Sequence, residues 1–296
     1  MRARNFSEAE QALKGLFESG RRFRFRGRDL VVLFSEKPTC AEGEPKTDVF
    51  VRCLDESSRV VDIKISYKKV NADFIENKMT AERAQEIFGP GWVSRITQAT
   101  DVIRDGLARR RLIFKTAAMH AQAGSITVGW KFELLWRHSG DLSGSIALST
   151  EEKRDVFAGC NLPQDKRDAY VGEQIISNSG IADYILVSDR LVDLQETVDC
   201  LIPVEDFAVS ADVYFACKAL NLRTYDTPPK WDGNRPLAVQ VDWEVREGRL
   251  TPFLDYDHPL IRRGNELVEK LQWAMGTLGV SNVSQLNHLN CACCTE

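Results

Sequence analysis

No stretch of 18 or more uncharged apolar residues occurs in this 296-residue sequence, so a membrane-spanning helix is not expected. The opening segment MRARNFSEAEQALKGLF meets Glu8 and Glu10 before any continuous apolar run, and a secretory leader is not expected either. Histidine is scarce, with four residues, and none lies in a pattern that pairs a nucleophile with a base. Triad hydrolysis is therefore disfavoured. No Gly-x-x-x-x-Gly-Lys-Ser/Thr loop is present, which argues against a nucleotide motor, and any reaction is expected to run without ATP. Internal repeats and low-complexity linkers are absent as well. Positive charge is not in surplus: 39 Lys and Arg face 43 Asp and Glu, a net charge of -4. Binding to a polyanion would have to rest on a local positive field.

What is present describes a globular chain, 43% apolar and 28% charged. Its length allows one large core or two smaller ones. Of eight cysteines, the first five are scattered, and reduced thiols in a cytoplasmic protein are expected. His288, Cys291, Cys293 and Cys294 crowd together, but adjacent cysteines do not readily fill two tetrahedral positions. A frayed tail is expected there rather than a zinc site.

Periodicity predicts a helix over 7–19, where Ser7 and Glu10 have capping-box spacing and Ala9, Ala12, Leu13, Leu16 and Phe17 form an apolar stripe. Arg22 to Arg26 alternates cationic and aromatic residues like a strand, and Leu30 to Phe34 is a second short strand. A hairpin follows: Val49–Leu54, a turn at 55–58, and Val60–Tyr67. Helical segments are expected around 72–88 and 92–108, split at Gly89-Pro90-Gly91. Further on, Ser125–Trp136, Ile181–Val187, Val213–Ala219 and Leu237–Val245 read as buried strands or short core elements. Ser149 and Glu152 open a helix that should stop at Gly159, and Asn265–Leu278 is helical. The pattern implies an α/β fold, with a catalytic core near 1–120 and residues 121–296 as its continuation or as a recognition and dimerisation subdomain.

The hairpin carries the chemistry. Period two places Asp62, Lys64 and Ser66 on one side of the second strand, with Val61, Ile63, Ile65 and Tyr67 on the other. If Leu54 pairs with Ser58 across a three-residue loop, Asp48 lies opposite Lys64 and joins that polar side. Two carboxylates offer hard oxygen ligands to Mg²⁺, the Ile63 carbonyl is a further candidate ligand, and Lys64 would stabilise charge developing on phosphorus. The plainer alternative is the solvated side of an amphipathic hairpin.

Pro45-Lys46-Thr47-Asp48 followed by Asp62-Ile63-Lys64 resembles the signature of the PD-(D/E)XK nuclease superfamily, type II restriction endonucleases in particular. In this sequence Lys46 and Thr47 separate the proline from Asp48. The resemblance implies a restriction-endonuclease-like mixed sheet flanked by helices, with the signature on two adjacent strands after an opening helix. It implies Asp48 and Asp62 as the acids, Lys64 as the lysine, and Mg²⁺-dependent hydrolysis of double-stranded DNA, leaving 5′-phosphate and 3′-hydroxyl ends. It further suggests a glutamate from the opening helix, for which Glu10 is the candidate and Glu18 a weaker one. Cutting two strands needs two centres, so a homodimer is expected.

For holding DNA, Arg22, Arg24 and Arg26 share one side of an extended backbone and suit phosphate contacts. Arginines that guard a sheet edge are the rival explanation. Lys68 and Lys69, and Arg109, Arg110 and Arg111, are further phosphate candidates. The polar, proline-interrupted stretch 221–236 offers Arg223, Lys230, Asn234 and Arg235 for base edges.

Overall fold

The computed structural model describes residues 2–41, 43–77, 79–118 and 120–294, and for residues 2–7 the backbone alone. The Ser7 side chain, with its expected cap, lies outside the described residues. The chain forms two units, one from Met1–Asp73 with Leu148–Ala211 and the other from Phe74–Ala147 with Asp212–Glu296. Both combine helices with sheet, as the α/β class requires. The expected division near residue 120 is corrected: the chain leaves the first unit after Asp73 and returns at Leu148.

The first unit opens with helix α1 (Arg2–Leu16), then β1 (Arg22–Phe25), β2 (Arg28–Glu36), β3 (Val49–Asp55) and β4 (Val60–Lys68). These four strands form an antiparallel run. Beyond β4 the sheet continues with Tyr184–Val187, parallel to β4, and then Ile202–Pro203. The core lies on the side of Ile63, Ile65 and Tyr67, where α1 contributes Leu13 and the turn after it Phe17, both fully buried, with Ala9 and Leu16 packed beside them. Full burial of each large apolar side chain contributes about 1.5–3 kcal/mol.

The arginine-rich segment differs from the extended arm expected. Phe25 pairs with Arg28, so Arg26 and Gly27 make a two-residue hairpin turn with φ 49° and 77°. Positive φ at both central residues is the geometry that matches strand twist. Arg26 therefore leaves the side shared by Arg22 and Arg24, and its guanidinium lies over the Tyr184 ring, 4.9 Å from the centroid. Gln195 accepts from the Arg24 N–H and donates to its carbonyl, both at 2.9 Å. The outer edge of β1 is thus covered by a side chain as well as guarded by charge.

Residues Thr150–Ala158 form the helix expected from Ser149, whose hydroxyl and the Glu152 carboxylate cap reciprocally, and Gly159 ends it in a left-handed conformation. The loop after it is held tightly. The Gly180 carbonyl accepts the N–H groups of Lys46 and Thr47 at 3.0 and 3.1 Å, and its own N–H donates to Arg167.

In the second unit the sheet order is Lys230–Trp231, Tyr214–Arg223, Ser125–Leu135, Val239–Arg246 and Arg249–Asp255, around fully buried Trp130, Phe132, Phe215 and Trp243. The helix expected over 72–88 is shorter: the Thr80 hydroxyl caps Ala81–Phe88, while Phe74–Glu76 pairs with Ser125–Leu135. No helix among the described residues is long and apolar enough to cross a membrane.

A methyl group on Gly180 would lie 1.8 Å from the Lys166 carbonyl oxygen. Gly180→Ala should therefore displace this loop and destabilise the chain by about 1–3 kcal/mol in urea unfolding. Wild-type stability in the variant would show that the loop does not fix the segment before Asp48.

Candidate active site

The turn between β3 and β4 decides what faces Asp48. The Asp55 carboxylate accepts the N–H groups of Ser57 and Arg59 at 2.9 and 3.0 Å and pairs with the Arg59 guanidinium. Ser58 takes a positive φ of 57°. The loop has the three residues expected, but it comprises Glu56-Ser57-Ser58, one position later than 55–57. Leu54 consequently pairs with Val60, not Ser58. Moving both loop ends by one residue shifts the register by two, which preserves the faces and changes the partners.

Phe50, not Asp48, lies opposite Lys64. Asp48 sits just before the first ladder pair, Val49 with Ile65, beside Ser66 and Tyr67. Its carboxylate accepts the Tyr67 N–H at 2.7 Å, and the Ser66 hydroxyl donates to it at 3.4 Å. Asp62 stands four positions before Ser66, which at strand rise is about 13 Å. That separation is too great for the two acids to ligate one Mg²⁺ at about 2.1 Å, so the compact Asp48, Asp62 and Lys64 cluster is corrected. Ile63, expected to lend a carbonyl, pairs with Val51 and lies away from Asp48.

Asp62 and Lys64 have other partners. Arg52 grips Asp62 with two parallel bonds of 2.7 and 2.8 Å. Lys64 pairs with Asp183 at 3.1 Å and donates to the Asn178 carbonyl at 3.0 Å. Burial raises the Asp183 carboxyl above its usual range, and Lys64 opposes that shift. Asp183 immediately precedes the strand parallel to β4, so the late strand brings this acid to Lys64.

A second constellation gathers around Asp48. Burial pushes its carboxyl above 3.8, against the field of Lys68, the Tyr67 N–H and the field of Lys37, while Glu44 adds to the rise. Glu10, on α1, is raised above 4.5 by burial; Lys37 lowers it and Asp48 and Glu44 raise it. The Lys37 ammonium is 2.5 Å from the Glu10 carboxylate. Three acids and two lysines thus share one field, and among the described residues Lys68 has no ion-pair partner. Beside Asp48, Ser66 stands in the place expected of Lys64, and Lys64 in the place expected of Asp62.

Hard oxygens of Asp48 and Glu10 suit Mg²⁺, which is often held through one or two carboxylates with waters and substrate phosphate completing its shell. Among the described residues no three His, Cys, Asp or Glu side chains form a ready-made cage. Lys37 already neutralises Glu10, so a cation would compete with it. Glu18 lies apart from this group and pairs with Arg21.

The remaining candidates are scattered. Arg22 and Arg24 are exposed on β1, and Lys69 follows β4. Arg109 and Arg111 are exposed, whereas Arg110 pairs with Asp141. In 221–236, Arg223 is tied to Asp226 and Asp232, and Asn234 accepts the Asn265 N–H. Lys230 and Arg235 are exposed.

Lys37, Glu44, Arg52 and Asp183 were not singled out by sequence reasoning. The legible signal for Asp183 was a charge at the head of an apolar run, and for Lys37 an ammonium between two acidic segments. No family model, curated protein or solved structure matches the chain at significance, so the reading of this site rests on its own geometry.

Because Asp48 and Glu10 titrate higher in the folded chain than in the unfolded one, the folded state binds their protons more firmly. Their stabilising contribution is complete below the ordinary carboxylate range and is lost as pH rises through the raised values. Asp48→Asn keeps an acceptor for the Tyr67 N–H without the buried charge. Urea unfolding from about pH 3, below the ordinary carboxylate values of about 3.9–4.3, up to about pH 7 should show the variant gaining on the wild type as pH rises. A constant difference would mean that the Asp48 charge is not opposed by burial.

Proposed function

We propose that this chain is a metal-dependent deoxyribonuclease of the restriction type, with its reacting centre at Asp48, Glu10 and Lys68. The observation that carries the reading is the half-buried Asp48 carboxylate at the head of the hairpin, in one field with Glu10, Lys37 and Lys68. A carboxylate whose charge is opposed by burial is suited to a cation or a proton, and such groups concentrate at functional sites. The order of α1, strands and hairpin supports the resemblance to the PD-(D/E)XK nucleases, while Asp62 and Lys64 of the signature are paired apart from this centre.

In this reading Asp48 and Glu10 would hold Mg²⁺, which would supply polarisation of a phosphate oxygen and a more acidic water. Lys68 stabilises negative charge that develops on the phosphate as the bond to the leaving oxygen breaks. Ser66, hydrogen-bonded to Asp48, orients that carboxylate. Arg52 with Asp62, and Lys64 with Asp183, hold the sheet face rather than the reacting atoms. Exposed Arg22 and Arg24 contact phosphate without reading bases. The substrate is double-stranded DNA, cut at a specific sequence by a cytoplasmic homodimer; a repair or anti-phage nuclease shares the same centre with a different DNA structure as substrate. A catalytically silent DNA-binding protein is the second reading, and it is favoured by Lys37 already sitting on Glu10.

The test is plasmid cleavage with Mg²⁺ and with EDTA, alongside gel shifts. Asp48→Ala and Lys68→Ala should each lower cleavage by about 100-fold or more, with Lys68→Ala keeping DNA binding. Asp62→Asn and Lys64→Ala should keep cleavage and lose stability instead. Cleavage destroyed by a folded Lys64→Ala protein but retained by Lys68→Ala would sink the proposed centre. Wild-type protein that retards DNA at low salt and never cuts it would establish the silent reading.

A further inference from the structure

The segment expected to fray is docked. Leu250 donates its N–H to the Asn290 carbonyl at 2.8 Å, and Ala292 donates to the Leu250 carbonyl at 2.9 Å, so Cys291 lies in a parallel bridge against Arg249–Asp255. The Cys291 N–H donates to Asn287, and its carbonyl accepts from the Arg249 guanidinium at 3.1 Å. Cys291 is fully buried, while Cys293, two residues on, is exposed. Their sulfur atoms are 3.5 Å apart, and Cys294 lies close enough to influence the Cys291 thiol. Folding has therefore placed an accessible thiol against a buried one, with a third alongside, inside the second unit.

We propose that Cys293 and Cys291 form a thiol–disulfide exchange site that takes low-molecular-weight disulfides, Cys293 as the attacking thiol and Cys291 as the resolving one. This is independent of the nuclease reading. The Cys293 thiolate attacks one sulfur of the small disulfide; a protein–small-thiol mixed disulfide forms and one small thiolate leaves. The Cys291 thiol then gives up its proton, its sulfur attacks Cys293 Sγ, and the second small thiolate departs. Two electrons pass from the cysteine pair to the small disulfide, which is reduced to two thiols. The first sulfur is reachable from solvent, and the second needs only to close from 3.5 Å to a bonded distance of about 2.05 Å.

The electrostatics agree with this order. The hydrogen bond from Cys291 holds the Cys293 thiol below its ordinary pKa. The same bond and burial push Cys291 up, and burial pushes Cys294 to about 11 despite Lys115 and Arg111 nearby. Thiolate fraction at the exposed sulfur governs the first step. Cys200 is an internal standard, because it is an exposed free cysteine.

The experiment uses the full chain, oxidised glutathione as probe, and intact-mass with peptide mapping as readout. Cys293 should react about tenfold faster than Cys200, and the end product should be a Cys291–Cys293 disulfide with two hydrogens lost and no glutathione retained there. Cys291→Ser and Cys291→Ala, the second guarding against a buried hydroxyl that misfolds, should trap glutathione on Cys293. Cys293→Ser should leave Cys291 reduced. Reaction of Cys293 at the Cys200 rate, or an internal disulfide formed at the wild-type rate without Cys291, would overturn the assignment.

Discussion

The candidate site depends on the Asp55 carboxylate and the two backbone N–H groups it accepts. That local interaction sets where β3 ends, and so which residues of β4 face Asp48. A hairpin register is quantised: the loop cannot slide by a fraction of a residue without breaking the ladder. A shift of one loop position at each end has no effect on which residues are buried, since the pleat keeps its parity. It has a large effect on chemistry, because it exchanges Lys64 for Ser66 beside Asp48 and brings Lys68 into the field of that carboxylate.

The charged groups of the hairpin and of α1 are organised by pairing. Asp62 has Arg52, Lys64 has Asp183, and Glu10 has Lys37. Removing one member of such a pair leaves a partly buried charge without compensation, which costs more than the pair itself contributes. Asp48 is different: its bonds are to a backbone N–H and a hydroxyl, and the Lys68 ammonium acts on it through its field. An acid in that state has unused capacity for a cation or a proton, and this distinguishes it from Asp62, Asp183 and Glu10.

Local pattern made much of this legible. The α1 stripe, the arrangement of the hairpin strands, and the Ser149 cap with its Gly159 stop were all readable because their determinants lie within a few residues. The strand Tyr184–Val187 was readable as apolar, but its pairing to β4 was not, since no local signal names a partner 120 residues away. Asp183 and its claim on Lys64 were hidden for that reason. Arg26 was misread differently: alternation suggested a strand, and the adjacent Gly27 was the sign that the backbone turns. The loop position was lost because Asp and Ser favour turns at several registers, and only the side-chain bonds of Asp55 select one.

The interrupted first unit also bears on the order in which the chain is synthesised. Residues 1–73 emerge with β4 unpaired on its outer side, and the strand that covers it arrives only after residues 74–183 have been made. At ribosomal rates of about 5–20 residues per second, that open edge persists for several seconds. During that interval Ile63, Ile65 and Tyr67 lack part of their final packing, and the β4 backbone can pair with any extended segment nearby. The arrangement that delivers Asp183 to Lys64 therefore makes the nascent chain sensitive to the pace of its own translation.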